Sequence, residues 1–142
     1  MKKRFETSLV SRTYECDSYG HVNHAVFLNY LEVARIEFLK TMGYTLDSLK
    51  KENLLMPIVK LEIEYKQQVF AGEELIITVE WIKKKNRSAV FKQMIFNNDK
   101  SLLISKAFIT WVAVNLQGKA VAIPEKIVEK YEKNYGHIDK NG

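Results

Sequence analysis

The spacing of apolar residues changes in the first half of the chain, from a helical repeat to a two-residue repeat. In residues 24–42, apolar residues recur at the spacing of an α-helix, with Asn23 as the predicted N-cap and Gly43 just past the end. The residues that share one broad apolar arc of this helix are Phe27, Leu28, Leu31, Ala34, Phe38, Leu39 and Met42. The apolar or aromatic residues outside that arc are Val26, Tyr30 and Val33. A helix that is apolar on most of its sides is expected to be buried.

Alternation of apolar and charged residues predicts strands after this helix. In residues 59–65 every second residue is apolar or aromatic and the residues between are charged, which is the pattern of a half-buried strand. The other predicted strands are residues 4–14, 75–83, 88–96 and 101–115. Thr45 is the predicted N-cap of a short helix over residues 45–52. Pro124 is predicted as the first residue of a C-terminal helix, and the residues after Asn134 are expected to be loose.

This order of elements predicts a single α+β domain over residues 1–142. Short turns between the later strands imply antiparallel neighbours, and a sheet with one apolar face can cover a buried helix by curving around it. A chain of 142 residues that is 46% hydrophobic and 27% charged suits one globular domain. Such a sheet leaves unpaired edge strands, so we expect copies of the chain to associate as a homodimer or homotetramer.

Neither a membrane span nor a secretion signal is visible in the sequence. No run of about 18 apolar residues occurs, and the basic residues 1–4 are followed by a segment that contains Glu6 instead of an apolar stretch. We therefore expect a cytoplasmic protein without membrane insertion. The one cysteine, Cys16, allows no disulfide within the chain. Because no Lys, Arg or His flanks it closely, we interpret it as a small hydrophobic residue and not as a nucleophile.

The positive charge of the chain favours an anionic ligand. The net charge is +5 and the isoelectric point is near 9.2, yet no arginine-rich tract or aromatic RNA-binding pattern points to nucleic acid. Lys83, Lys84, Lys85 and Arg87 form a basic cluster at a predicted strand end. Such a cluster can bind phosphate groups, and it can equally be a solvated turn.

Several polar residues in or before the long helix need a role. His24 can be a capping or surface histidine, a substrate contact or a proton-handling group. Glu32 and Arg35 are three residues apart and are expected to pair. Asp17, on composition alone, is an ordinary turn aspartate. Together with His21 and His24 it does not make a recognised metal-ligand pattern, so no metal site is expected.

Two stretches of the chain together resemble a known family signature. Residues 17–24 read Asp-Ser-Tyr-Gly-His-Val-Asn-His, and residues 27–35 read Phe-Leu-Asn-Tyr-Leu-Glu-Val-Ala-Arg. They resemble the signature of the 4-hydroxybenzoyl-CoA thioesterase family, and Tyr65 and Gly72 also fit, although Gln68 stands where members often have proline. The resemblance implies the hotdog fold, an antiparallel sheet of five or six strands wrapped around one long buried helix. It also implies an enzyme that hydrolyses acyl-CoA without a cofactor.

The resemblance further implies roles for single residues. Asp17 is expected to be the catalytic carboxylate, as a nucleophile or as a general base, and His24 is expected to assist it. The residues expected at the substrate are Gly20, His21, Val22, Asn23 and Phe27. Independently of the resemblance, the positive charge of Lys84, Lys85 and Arg87 makes them candidates for binding the phosphates of CoA. Backbone N–H groups of residues 20–24 are expected to hold the carbonyl oxygen. An acyl carrier protein thioesterase, a non-catalytic acyl-binding protein and a hotdog dehydratase are the alternatives.

Overall fold

The structure is a computed structural model and describes residues 3–141. Its strands are β1 (Phe5–Val10), β2 (Ile58–Tyr65), β3 (Glu74–Lys84), β4 (Ser88–Asn97) and β5 (Leu103–Val112). Its helices are α1 (Val26–Thr41), α2 (Leu46–Lys51) and α3 (Glu125–Tyr135), and a 3₁₀ turn (Thr13–Glu15) follows β1. Within this described range, none of the helices combines the length and the apolar character that crossing a membrane requires.

The five strands form one antiparallel sheet in the order β1-β3-β4-β5-β2. The consecutive strands β3, β4 and β5 lie side by side, as their short turns predict. β1 and β2, the strands before and after α1, are the two edge strands of the sheet. β1 is shorter than predicted, because after Ser11, whose hydroxyl donates to the Phe70 carbonyl at 2.6 Å, the chain leaves the sheet. The predicted α+β class is confirmed.

The long helix α1 packs one side against the sheet and leaves the other exposed. Its buried residues are Phe27, Tyr30, Leu31, Ala34, Phe38 and Leu39. Two positions differ from the prediction: Tyr30, placed outside the apolar arc, is 1% exposed, and Leu28, placed inside it, is 37% exposed. The buried side of α1 is turned toward Tyr30 and away from Leu28. A helical wheel does not reveal this, because the hydroxyl of Tyr30 has a partner inside the protein.

The expected ion pair of Glu32 and Arg35 does not form within residues 3–141. Nη1 of Arg35 instead donates to Oε1 of Gln93 at 2.9 Å, and Nε2 of Gln93 donates to the Leu31 carbonyl at 3.0 Å. Burial lowers the pKa of Arg35, and the charge of Glu32 opposes this effect. The buried amide of β4 therefore takes the role that the sequence assigned to Glu32.

Aromatic residues seal the C-terminal end of α1. The ring of Phe38 lies 5.6 Å from that of Phe91 and 5.8 Å from that of Tyr131, in edge-to-face contact. The hydroxyl of Tyr131, from α3, accepts the N–H of Trp81 at 3.0 Å. This bond satisfies an amide of β3 that lies beyond Val79, the last residue paired with β1.

The residues after Asn134 are packed onto the sheet and not loose, so this prediction was wrong. Tyr135 and Ile138 are buried, and the Glu132 carboxylate accepts the N–H of Ile138 at 3.0 Å. The backbone of Asp139 exchanges hydrogen bonds with β3 at residues 82 and 84. The bonds to β3 are long-range, so the local composition did not reveal them. Pro124 immediately precedes α3 and is not its first residue.

The sheet has two ends that differ in what they carry. At one end, here called the Asp17 end, β2 ends and α1 begins. There a hydrogen bond from Val22 to Val69 joins the loop that holds Asp17 to the segment between β2 and β3. The other end, called the hairpin end, holds the β3–β4 turn (residues 85–87), and toward it Phe38 of α1 packs on Phe91 of β4. From Ile95 to Ala89 along β4, the two ends are roughly 20 Å apart at about 3.4 Å per residue.

Candidate active site

Asp17 lies in a tight loop between β1 and α1. Its N–H donates to the His21 carbonyl at 2.8 Å, and the Gly20 N–H donates to the Asp17 carbonyl at 3.0 Å. Gly20 has a φ of 83°, in the left-handed region that suits glycine. Val22 is buried, and its N–H donates to the Val69 carbonyl at 2.7 Å. The loop is therefore closed on itself and fixed to the segment between β2 and β3.

The Asp17 side chain is exposed, and only one of its oxygens is engaged. Oδ1 accepts the N–H of Tyr19 at 2.9 Å and the N–H of His21 at 3.2 Å. Oδ2 accepts no hydrogen bond from residues 3–141. The two roles that the sequence suggested, turn capping and chemistry, are therefore compatible, because each can use a different oxygen.

Asn23 does not cap α1, contrary to the prediction. The helix begins at Val26, with Ala25 immediately before it. Oδ1 of Asn23 accepts the N–H of Ala25 at 2.9 Å, and the Asn23 carbonyl accepts the N–H of Val26 at 2.9 Å. The asparagine thus closes a turn that leads into the helix.

The backbone N–H groups of residues 20–24 are mostly occupied. Those of Gly20, His21 and Val22 make the bonds given above, and that of Asn23 donates to the Glu15 carbonyl at 2.9 Å. The N–H of His24 donates to no oxygen in the described part of the chain, and neither does that of Phe27, in the first turn of α1. Of the N–H groups expected to hold the carbonyl oxygen of the substrate, only that of His24, just before α1, is therefore free within residues 3–141.

Tyr65, at the end of β2, supports His24 and Phe27. Its hydroxyl donates to the His24 carbonyl at 2.9 Å. Its ring centroid lies 6.1 Å from that of His24 and 5.2 Å from that of Phe27. Burial raises the pKa of Tyr65, so the hydroxyl stays protonated near neutral pH. Sequence reasoning missed this role, because Tyr65 has the spacing of an ordinary strand residue.

A groove of about 540 Å³ adjoins this region and is lined by Tyr65, Lys66, Gln67, Gln68 and Phe70. The ring of Phe70 lies 4.8 Å from that of His21, edge to face, which links the groove to the Asp17 loop. Gln68, which departs from the family pattern, lies in the wall of this groove. The β2–β3 connection and the Asp17 loop therefore form one surface.

The surroundings of Cys16 and the arrangement of possible metal ligands do not support a cysteine nucleophile or a metal site at this surface. Cys16 is half-buried, and its Sγ lies 3.7 Å from the Arg12 carbonyl. Across residues 3–141, no group of three or more His, Cys, Asp or Glu side chains is arranged to hold a metal ion.

Comparison with known proteins identifies the family. The sequence profile of the Thioesterase-like superfamily matches residues 11–131. The chain belongs to this superfamily. It is 28% identical to the long-chain acyl-CoA thioesterase FadM of Escherichia coli over 129 residues, which cover 90% of this chain and 97% of FadM. It is 26% identical to the chloroplastic acyl-acyl carrier protein thioesterase ATL3 of Arabidopsis thaliana over 133 residues, which cover 92% of this chain and 69% of ATL3.

The three-dimensional comparison agrees with the sequence comparison. The crystal structure of a hypothetical protein from Aquifex aeolicus superposes with a TM-score of 0.83 at 25% identity, covering 89% of this chain and 98% of that one. The hotdog fold expected from the resemblance is confirmed, with five strands in the sheet. The chain is a thioesterase.

A buried tyrosine of the thioesterase is tied to the base of the Asp17 loop. The Tyr30 hydroxyl donates to Oε1 of Glu15 at 2.7 Å, and the backbone N–H and Nη1 of Arg12 donate to the same carboxylate at 2.8 and 3.1 Å. Burial alone would raise the pKa of Glu15, but these hydrogen bonds outweigh it and hold the pKa below its ordinary value. Burial and the neighbouring carboxylate raise the pKa of Tyr30.

The bond between Glu15 and Tyr30 was not predicted from the sequence. Their contact joins residues that are 15 apart and belong to different elements. The signal that could have found it is chemical, because a buried tyrosine hydroxyl requires a partner and Glu15 is an acid close to the helix.

The basic cluster does not lie beside Asp17 within one chain. Lys84, Lys85 and Arg87 are at the hairpin end, where Lys84 and Lys85 help to line a cavity of about 200 Å³. The strand order separates them from Asp17, because the β3–β4 turn lies at the opposite end of the sheet from the β2–β3 connection. A role for this cluster at the thioester therefore needs a second copy of the chain.

Proposed function

We propose that this thioesterase hydrolyses acyl-CoA and that its turnover depends on the carboxylate of Asp17. The observation that carries the proposal is the side chain of Asp17, whose Oδ1 is held by two N–H groups while Oδ2 has no partner in residues 3–141. Such a carboxylate can attack the thioester carbon, giving an anhydride and CoA thiolate, or it can take a proton from an attacking water. Either route ends in a free carboxylic acid and CoA.

The start of α1 supports this proposal because it offers unpaired N–H groups. The free N–H of His24 lies close to the positive end of the helix dipole, where it can hold the carbonyl oxygen as negative charge develops. A donor of this kind typically contributes about 10²–10³ in rate. The exposed imidazole of His24 is proposed as a substrate contact or proton carrier, and the groove beside His21 and Phe70 as the approach for the substrate.

The acyl chain is proposed to follow the seam between α1 and β2. Leu28 is exposed on α1, and Leu61 and Ile63 of β2 are only partly buried. The seam leads to a cavity of about 240 Å³ whose apolar lining includes Ile36, Leu39, Leu46, Met56 and Phe91. From the start of α1 to Ile36 is roughly 15 Å at 1.5 Å per residue, which an extended acyl chain can span. Met56 lines this cavity, whereas Tyr30 is 1% exposed and lies too deep in the protein to do so.

A homodimer would bring the basic cluster to the substrate. β2 is an edge strand, and antiparallel pairing of two β2 edges places the start of one β2 beside the end of the other. The start of β2 lies at the hairpin end, since Ile58 pairs with Trp111 and Trp111 pairs with Ala89. Lys84 of the partner subunit would then lie at the same end of the dimer as Asp17, available to the phosphates of CoA. A homotetramer would join two such dimers.

The second candidate substrate is an acyl group on acyl carrier protein. Similarity to ATL3 favours it, and an acidic carrier protein would suit the basic cluster. The finer assignment to the 4-hydroxybenzoyl-CoA thioesterase family rests on residues 17–35 and stays a proposal, as does a cytoplasmic location.

The test is release of free thiol from short, medium, long and aromatic acyl-CoAs by the wild type, Asp17→Asn and Asp139→Asn. The matched control is Asp139, another turn aspartate whose Oδ1 accepts the N–H two residues ahead, at the hairpin end. We expect Asp17→Asn to lower kcat by about 10²–10⁴, with Asp139→Asn unchanged and all three proteins folded. Equal activity of the two variants would remove Asp17 from the mechanism. A wild type that is inactive on every acyl-CoA would favour acyl groups on acyl carrier protein as the substrates.

A further inference from the structure

We propose that Glu15 and Tyr30 are positioning residues that set the Asp17 loop against the start of α1. The effect on turnover rests on the proposed function, but the mechanical role does not. Tyr30 is 1% exposed, and its ring stacks on that of Phe27 with centroids 6.2 Å apart. This packing holds the Tyr30 hydroxyl in one position relative to the helix. The Glu15 carboxylate bonds this hydroxyl, and the Glu15 carbonyl accepts the N–H of Asn23, which closes the base of the loop.

The loop needs such an anchor because its tip is not packed. Tyr19 is 82% exposed, and Ser18 and Gly20 are also exposed. The tip is therefore held through its own hydrogen bonds and through its two ends. One end is fixed to the segment between β2 and β3 by the bond from Val22 to Val69, and the other is fixed to the helix by Glu15.

The proposed chemistry depends on the distance between two separate segments. The Asp17 carboxylate belongs to the loop, whereas the free His24 N–H belongs to the start of the helix. Reacting groups must be held within about 0.5 Å of a productive geometry, and a 1 Å displacement can cost about 10² in rate. The bond between Glu15 and Tyr30 crosses from one segment to the other and so limits their relative movement.

The other end of α1 provides a matched control. The hydroxyl of Tyr135 lies 2.7 Å from Oγ1 of Thr41, the last residue of α1, and Tyr135 is 7% exposed. Tyr30→Phe and Tyr135→Phe each keep the aromatic ring and remove one buried hydroxyl. The first loses a hydrogen bond near the start of α1, and the second loses one at its end. They differ in whether the lost bond reaches the Asp17 loop.

The experiment compares Tyr30→Phe, Glu15→Ala, the double variant, Glu15→Gln and Tyr135→Phe. With the best acyl-CoA, Tyr30→Phe and Glu15→Ala should each lower kcat about 10–10²-fold with little change in KM. The double variant should be no worse than the more damaging single change, because both remove the same link. Glu15→Gln, which keeps an acceptor for the hydroxyl, should recover part of the loss. Tyr135→Phe should retain the wild-type kcat.

A second measurement stands apart from activity. The N–H groups of Tyr19 and His21, which donate to Asp17, should exchange with water at least about 10-fold faster in Tyr30→Phe than in Tyr135→Phe, as measured by NMR. Equal exchange in the two variants, or an equal loss of kcat at similar unfolding midpoints, would overturn the proposal. An inactive wild type would refute the proposed function alone, because the exchange rates would still decide whether the link holds the loop.

Discussion

A buried tyrosine hydroxyl makes a hydrogen bond at each end of α1, yet the surroundings of these two bonds are opposite. Tyr30 bonds a carboxylate at the base of an exposed polar loop, whereas Tyr135 bonds Thr41 beside the rings of Phe38 and Tyr131. The Asp17 end is therefore open and polar, and the hairpin end is closed and aromatic. One helix thus separates the region that stabilises the fold from the region proposed to carry out the chemistry.

The largest effect on stability should come from removing an aromatic ring at the C-terminal end of α1. Phe38 is fully buried, with the rings of Phe5 and Phe91 each 5.6 Å away. Phe38→Ala should lower the free energy of unfolding by about 3–5 kcal/mol, as measured by urea denaturation, and leave kcat of the folded protein unchanged. The control is Val33→Ala, at a 46% exposed position on the same helix, which should change stability by less than about 0.5 kcal/mol. Loss of turnover in folded Phe38→Ala protein would contradict the separation.

A smaller effect should come from the basic cluster at the hairpin end. The double change Lys84→Glu and Lys85→Glu should raise KM for acyl-CoA about 3–10-fold without lowering kcat, and the difference should shrink at high salt because the charges are screened. The same double change at Lys50 and Lys51 of α2 alters the net charge equally and should leave KM unchanged. Similar KM values for both double variants would assign the cluster to the solvated surface.

The smallest effect should appear in the acid stability of the Asp17 end. The pKa of Glu15 is held below its ordinary value of 4.5, so its contribution to stability is complete above that pH and is lost as pH falls through the pKa of the folded state. Glu15→Gln should therefore flatten the fall of the urea midpoint in acid relative to wild type. Glu37→Gln, which changes a more exposed carboxylate of α1, serves as the control. An unchanged slope in Glu15→Gln would show that the hydrogen bonds to Glu15 add no net stability.

Much of the fold was readable because its signals are local. The two-residue alternation placed β2 within one residue of its observed start, and Thr45 does cap α2, where its side chain accepts the Ser48 N–H at 3.0 Å. The burial of Tyr30 and of Ile138 was not readable, because the Tyr30 hydroxyl bonds Glu15 of another element and the backbone next to Ile138, at Asp139, bonds β3.

The candidate site was readable as a set of residues but not as an arrangement. The resemblance directed attention to residues 17–35, and composition added the lysines of the hairpin. The distance between them follows from the strand order, which no short stretch encodes. The supporting role of Tyr65 was hidden for the same reason, since its partner His24 lies 41 residues away.

The strand order also has a consequence for how a new chain takes shape. The strands β3, β4 and β5 pair with their neighbours in sequence, and hairpins of this kind form in about 1–10 μs. β1 and α1 are synthesised before β3, the strand that both of them contact and that ends at Lys84. Until β3 has emerged the apolar side of α1 is open to other chains, so the protein is most prone to aggregate while it is being synthesised.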